Sequence, residues 1–105
     1  MKLLLVGISH RTAPVELRER VDFTVRGLPQ ALSALASRGS THEAVIVSTC
    51  NRAEIYAACE DPAAARADVT RFISDFTEVP SSDVEPHLQE LVDLEAARHL
   101  FRVAA

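Results

Sequence analysis

The sequence predicts an α+β fold: a ferredoxin-like βαββαβ sheet with helices on one face, plus a C-terminal helix cut short. Three observations carry that expectation. Four short apolar or alternating runs are bounded by turn residues. Segments with helical apolar spacing separate the first run from the second and the third from the fourth. The 105 residues, 48% of them hydrophobic, suffice for one domain that buries roughly two thirds of its unfolded surface.

"LLLVGIS" (Leu3–Ser9) is a continuous apolar run, as a buried strand requires. "HRT" ends it, and Pro14 opens a short helix over "PVELRER", where its missing N–H costs nothing. In "GLPQALSALAS", residues Leu28, Ala31, Leu32, Leu35 and Ala36 share one helical face. Pro29 falls in the first turn and Gly39 is the expected stop. "EAVIVST" reads as the second strand. "RAEIYAA" alternates Ala53, Ile55 and Ala57 against Glu54 and Tyr56, as a half-buried strand does. Asp61 and Pro62 form an N-cap and first-turn pair. The helix they start carries Val69, Phe72, Ile73 and Phe76 as one stripe and stops before Pro80. In "SSDVEPHLQELV" we expect a helical turn and then a strand from His87 to Val92. The last helix, "DLEAARHLFRVAA", gathers Leu94, Ala97, Leu100, Phe101 and Ala104 on one face and reaches Ala105 without a stop signal. Residues 1–92 thus make the α/β unit, and 93–105 begin a helical segment that looks cut inside or just after the helix.

Composition narrows the function classes. The net charge is −4, with one Tyr and no Trp. Residues 1–54 hold seven Lys/Arg against five Asp/Glu, and residues 55–105 hold four against ten. A broad basic footprint and an aromatic platform for nucleic acid are both missing. No secretory segment precedes the two cysteines, and no apolar run is long enough to span a membrane. The expected location is the reducing cytoplasm, with both thiols free. A strand of roughly 20 Å separates Cys50 from Cys59, which argues against a bridge.

In the predicted topology the first two strands are parallel, with the third antiparallel between them. Their carboxyl ends then share one sheet edge. Ser9-His10-Arg11-Thr12 and Ser48-Thr49-Cys50-Asn51-Arg52 converge there. Cys50 would sit beside Arg52 or Arg11, and thiolate rather than thiol is the nucleophile. Successive N–H groups at the turn could bind an oxyanion. The bland alternative makes Cys50 a small buried hydrophobe in a hairpin. Yet "CNRA" contains no Gly and fits the primed-turn rule poorly, and such local mismatches are where function is expected. Cys59 reads as structural.

His99 lies roughly 150° from the apolar stripe of the last helix. It is either a solvated histidine beside Glu95, or a base or orienter for Cys50. The second role requires that helix to meet the site with another face. His10 is a polar strand end. Cys50, His87 and His99 match no zinc spacing, so no metal is expected. Gly7, Gly27 and Gly39 form no phosphate loop.

"VGISHRTAPVELRERVDF", "STCNRAEIY" and "ARHLFRVAA" resemble, in order, the amino-terminal catalytic domain of glutamyl-tRNA reductase. "STCNR" with "EIY" (Ser48–Tyr56) is the most specific part. The resemblance implies formation of glutamate-1-semialdehyde from glutamate carried on its tRNA, with NADPH, as the first committed step of five-carbon tetrapyrrole synthesis. It implies that Cys50 is the nucleophile and forms an enzyme thioester. His99 matches a histidine needed for activity, and Thr49, Asn51 and Arg52 match residues around the glutamyl group. Arg52 suits the glutamate side-chain carboxylate, because a planar fork recognises it bidentately. Ser9, His10, Arg11 and Ser48 are further neighbours by the strand-edge argument. NADPH binding, homodimerisation and contact with a downstream aminomutase are implied for parts outside this chain. The family's "GLDS" and "EPQ" segments are absent here, and Gln89 and Leu91 stand where the family is more aromatic.

Two other classes remain open. A non-enzymatic ferredoxin-like RNA-binding or regulatory module would want exposed aromatics on central strands, and Tyr56 is the one candidate. A thiol redox protein would want a C-x-x-C pair, which the sequence lacks.

Overall fold

The apolar run near the amino terminus becomes β1 (Lys2–Ser9). The computed structural model describes residues 1–25, 27–38 and 43–104. After β1 come α1 (Val15–Arg20), α2 (Leu28–Ala36), β2 (Glu43–Thr49) and β3 (Arg52–Cys59). Then follow α3 (Pro62–Thr77), α4 (Ser81–Val84), a 3-10 turn at Glu85–His87, β4 (Gln89–Val92) and α5 (Leu94–Ala104). The strands form one sheet in the order β2-β3-β1-β4, and every neighbouring pair is antiparallel. Because β3 opposes both β1 and β2, those two run the same way on either side of it. Arg52 is paired with Ser9 on one side and with Thr49 on the other. The two polar segments therefore share one edge.

Alternation divides β1 between two faces. Leu4, Val6 and Ile8 join Ile55 in the main core, against Ala31 and Leu35 of α2 and Val69, Phe72 and Ile73 of α3. Full burial of each large side chain contributes about 1.5–3 kcal/mol. Phe23 stacks on Phe72 with ring centroids 5.9 Å apart. The expected signals frame α3: the Asp61 carboxylate accepts from the Ala63 and Ala64 N–H groups, Pro62 opens the first turn, and Glu78 closes the helix at φ 60°. On the opposite face Leu5 and Tyr56 meet Ala96 of α5.

Several expectations need correction. Glu54 and Tyr56 are buried, at 1% and 3% exposure, because α5 covers their face of the sheet. That helix uses its expected stripe only in part: Leu94 and Phe101 are exposed, while Leu100 packs beside the fully buried Ala96. Ala96, His99, Leu100 and Val103 share the sheet-facing side instead, since only that side matches Tyr56, Leu5 and the Glu54 carboxylate. β4 starts at Gln89, not His87, because Pro86 cannot donate to a ladder and holds a helical φ. In α2, Leu32 is exposed and Ala34 takes its place against the core. Pro14 occupies the N-cap of α1 rather than its first turn. Gly39, the expected stop of α2, lies outside the described residues.

Candidate active site

β2 and β3 are joined by Cys50 and Asn51 alone. Among the described residues only Glu78 and Asp93 are non-glycine residues with positive φ, so this turn is not of the primed type that matches strand twist. Part of its stability comes from outside the hairpin. The His10 N–H donates to the Asn51 carbonyl at 2.8 Å, and the Asn51 N–H donates to Thr49 Oγ1 at 3.2 Å. The end of β1 thereby holds the turn, and Thr49, Cys50 and Asn51 stay exposed.

Ser48 anchors the same hairpin from below. Its hydroxyl donates to Asp22 Oδ1 at 3.1 Å and accepts the Phe23 N–H at 3.2 Å. Burial pushes the Asp22 carboxyl up, but hydrogen bonds from Thr24 and Ser48 outweigh it and hold it below the ordinary value. The Ser48 hydroxyl is thus engaged by Asp22 and by the Phe23 N–H. Ser9 is similarly committed: its carbonyl accepts the Thr12 and Ala13 N–H groups, both at 3.0 Å, and its hydroxyl accepts the Arg11 N–H at 3.2 Å. That tight turn leaves the His10 and Arg11 side chains exposed.

A cleft of about 630 Å³ opens between this turn and α5, and its walls include Ser9, His10, Arg11, Arg52, His99 and Arg102. Thr49, Cys50 and Asn51 are not part of those walls; they sit on the hairpin tip just before Arg52. Beneath the cleft a single carboxylate joins three side chains. Glu54 Oε2 lies 2.8 Å from His99 Nε2 and 3.4 Å from Arg52 Nη1. Glu54 Oε1 accepts the Tyr56 hydroxyl at 3.0 Å. Burial, then the charge of Glu54, pushes the Tyr56 phenol well up, so Tyr56 stays a donor.

Gly7 makes this arrangement fit. It pairs with Glu54 across the β1–β3 ladder, on the same face. A Cβ there would lie 2.5 Å from the Ala53 carbonyl oxygen, 2.7 Å from Glu54 Cα and 3.0 Å from Glu54 Cγ. The sequence reading missed Glu54, Tyr56 and Gly7 as site residues. The available signal was His99: a histidine off the apolar stripe needs a partner if its helix face is covered.

His87 Nδ1 donates to the Thr12 carbonyl at 3.0 Å, tying the 3-10 turn to the loop after β1. Cys59 is fully buried at the far end of β3, and both cysteines are free. Burial, then the carboxylates of Asp61 and Asp93, pushes the Cys59 thiol up. Among the described residues no group of three His, Cys, Asp or Glu side chains could hold a metal ion. No helix there is long and apolar enough to cross a membrane.

Fold and site together define an α+β domain that presents a free thiol on an exposed hairpin beside an arginine- and histidine-lined cleft. Residues 6–105 match the family model described as "Glutamyl-tRNAGlu reductase, N-terminal domain", and the chain belongs to that family. It is 46% identical over its whole length to the glutamyl-tRNA reductase of Magnetococcus marinus, of which it covers 25%. Against that of Citrifermentans bemidjiense it is 45% identical, again over its whole length, and covers 24%. The chain thus spans about a quarter of these relatives. Among solved structures, glutamyl-tRNA reductase from Methanopyrus kandleri is similar with a TM-score of 0.61 and 29% identity, over 97% of this chain and 22% of that one.

Proposed function

We propose that this chain is the thioester-forming part of a glutamyl-tRNA reductase, built on a ferredoxin-like sheet. The Cys50 sulfur attacks the carbonyl carbon of the glutamyl ester. The bond to the tRNA ribose oxygen breaks, the ribose hydroxyl recovers a proton, and glutamate remains on Cys50 as a thioester. Arg52 binds the glutamate side-chain carboxylate, Thr49 and Asn51 hydrogen-bond the α-amino group or the carbonyl, and His99 serves as base or orienter. Ser9, His10 and Arg11 border the glutamyl group.

The observation that carries this reading is the exposed Cys50 hairpin, pinned to the end of β1 by the bond from His10 to Asn51. Arg52 and His99 line the adjoining cleft. NADPH, when bound, supplies the hydride that converts a thioester to glutamate-1-semialdehyde. The described residues contain no glycine-rich phosphate cradle, so we assign NADPH to a part of the protein outside this chain. Homodimer formation and contact with a downstream aminomutase are assigned there too, with residues 1–92 as the catalytic subdomain and 93–105 as the lead into that part. The cytoplasm is the proposed compartment and tetrapyrrole synthesis the proposed pathway.

An RNA-binding sheet would expose aromatics, whereas Tyr56 is 3% exposed, which disfavours that alternative. The test is hydrolysis of activated glutamyl esters by the chain. Cys50→Ser should abolish it, and an unchanged rate in that variant would refute the assignment.

A further inference from the structure

The wall of the cleft is far more basic than the chain that carries it. Of the chain's 11 Lys/Arg and 15 Asp/Glu, the wall holds Arg11, Arg52, Arg98 and Arg102 against Glu95 alone. The whole chain has a net charge of −4. Arg52 is partly buried and ion-paired with Glu54. The other three arginines are exposed. Among the described residues none of their guanidinium groups has a hydrogen bond or an ion pair. Three unpaired cations thus converge where only Glu95 offsets them.

Their placement is not scattered. Arg98 and Arg102 are four residues apart on α5, so they lie one above the other on one side of the helix. Arg11 meets the cleft from the facing side, on the turn that the Ser9 hydroxyl holds through the Arg11 N–H. A glutamyl group has too little negative charge for this set. Its carboxylate takes Arg52, and its α-amino group is a cation that repels further arginines. The cleft volume of about 630 Å³ is in the range that takes a drug-sized ligand, which is larger than a glutamyl group. What arrives with the ester is a ribose, and the anion nearest to the reacting carbonyl is the phosphodiester on its 5′ side. Arginine forks match phosphate oxygens bidentately.

We infer that Arg98 and Arg102, with Arg11 across the cleft, bind the terminal phosphodiesters of the RNA that carries the glutamyl group; the inference rests on the proposed thioester reading. These contacts fix the ester's position without reading sequence, since phosphates carry none. The pyrophosphate of NADPH offers the same chemistry from another source. Acylation of Cys50 takes place without that cofactor, so this step isolates the RNA.

The test compares two acyl donors, glutamyl-tRNA and 2′(3′)-O-glutamyl-adenosine, which has the ester and ribose but no phosphate. The variant is Arg98→Gln with Arg102→Gln, both on exposed positions. Its kcat/KM for Cys50 acylation by glutamyl-tRNA should fall on the order of 10²-fold, about tenfold for each lost charge-assisted contact, mainly through KM. With glutamyl-adenosine it should stay within about twofold, since a uniform binding contact absent from that donor cannot be lost. The dependence of log kcat/KM on log salt should flatten by about 1.4, at roughly 0.7 for each single-strand phosphate. Arg71→Gln, an equal charge change at an exposed position of α3, controls for overall charge and should lose no more than about twofold, because exposed charges beyond a Debye length are screened. Unchanged acylation by glutamyl-tRNA in the double variant overturns the inference. Equal losses with both donors, or an equal loss in Arg71→Gln, overturn it too. If neither donor acylates the wild type, the thioester reading fails by itself. Titration with a short single-stranded RNA bearing the tRNA 3′ end then decides the phosphate site: weaker binding by the double variant than by Arg71→Gln supports it, and equal binding overturns it.

Discussion

Replacing Gly7 by alanine tests how the sheet makes room for its buried carboxylate. Gly7 sits opposite Glu54 in the β1–β3 ladder. The new methyl would lie 2.5 Å from a main-chain oxygen and 2.7 Å from a main-chain carbon of β3. Real Cβ contacts essentially never fall below 3.0 Å, and neither atom belongs to a flexible side chain. Relief therefore requires β1 to move away from β3, at the centre of the sheet. Overpacking of a well-filled interior costs about 1–3 kcal/mol, and a clash against two backbone atoms belongs at the top of that range. With a urea slope of about 1–1.5 kcal/mol per molar for a chain of this size, the unfolding midpoint should fall by roughly 2–3 M. Urea titration followed by far-UV circular dichroism measures this. In the same variant the His99–Glu54 contact should loosen, visible as a shift of the His99 ring resonances. A midpoint within about 0.3 M of the wild type would refute the steric argument.

Other outcomes follow from the same geometry. Ser48→Ala removes the acceptor of the Phe23 N–H and a donor to Asp22, and should cost about 1–2 kcal/mol, read as a lower thermal midpoint. Burial and Glu54 raise the Tyr56 phenol, so the contribution of Tyr56 to stability is complete below its unfolded value near about 10. It should be lost as pH rises above that, which makes the wild type fall more steeply than Tyr56→Phe in alkaline urea titrations; parallel slopes would contradict the burial argument. Arg52→Lys keeps the charge but loses the planar fork. It should weaken selection of glutamyl over other aminoacyl esters by about tenfold while leaving iodoacetamide labelling of Cys50 within about twofold, and equal losses in both would reject the carboxylate role.

Much of the architecture was legible because local signals agreed with tertiary need. Asp61 and Pro62 mark the start of α3, and its apolar stripe faces the core as written. The meeting of the Ser9 and Ser48 segments followed from strand order alone. What escaped was the second face of the sheet. Glu54 and Tyr56 alternate with Ala53 and Ile55 as solvent-facing residues would, and nothing local says that a helix 40 residues later covers them. The hydrophobicity of α5 points the wrong way for the same reason. Leu94 and Phe101 form its stronger stripe, yet the helix docks through Ala96 and His99, where polar complementarity with Glu54 decides. The unprimed Cys50–Asn51 turn was legible as an anomaly, but its cause, the hydrogen bond from His10, is long-range.

Intact-mass analysis of the chain after rapid quenching with glutamyl-tRNA, followed by peptide mapping, addresses the central claim most directly. The account predicts one glutamyl group per chain, attached to Cys50, released by hydroxylamine and missing in Cys50→Ser, with Cys59 unmodified. A glutamyl group on any other residue, or consumption of glutamyl-tRNA at the same rate by Cys50→Ser, would contradict it.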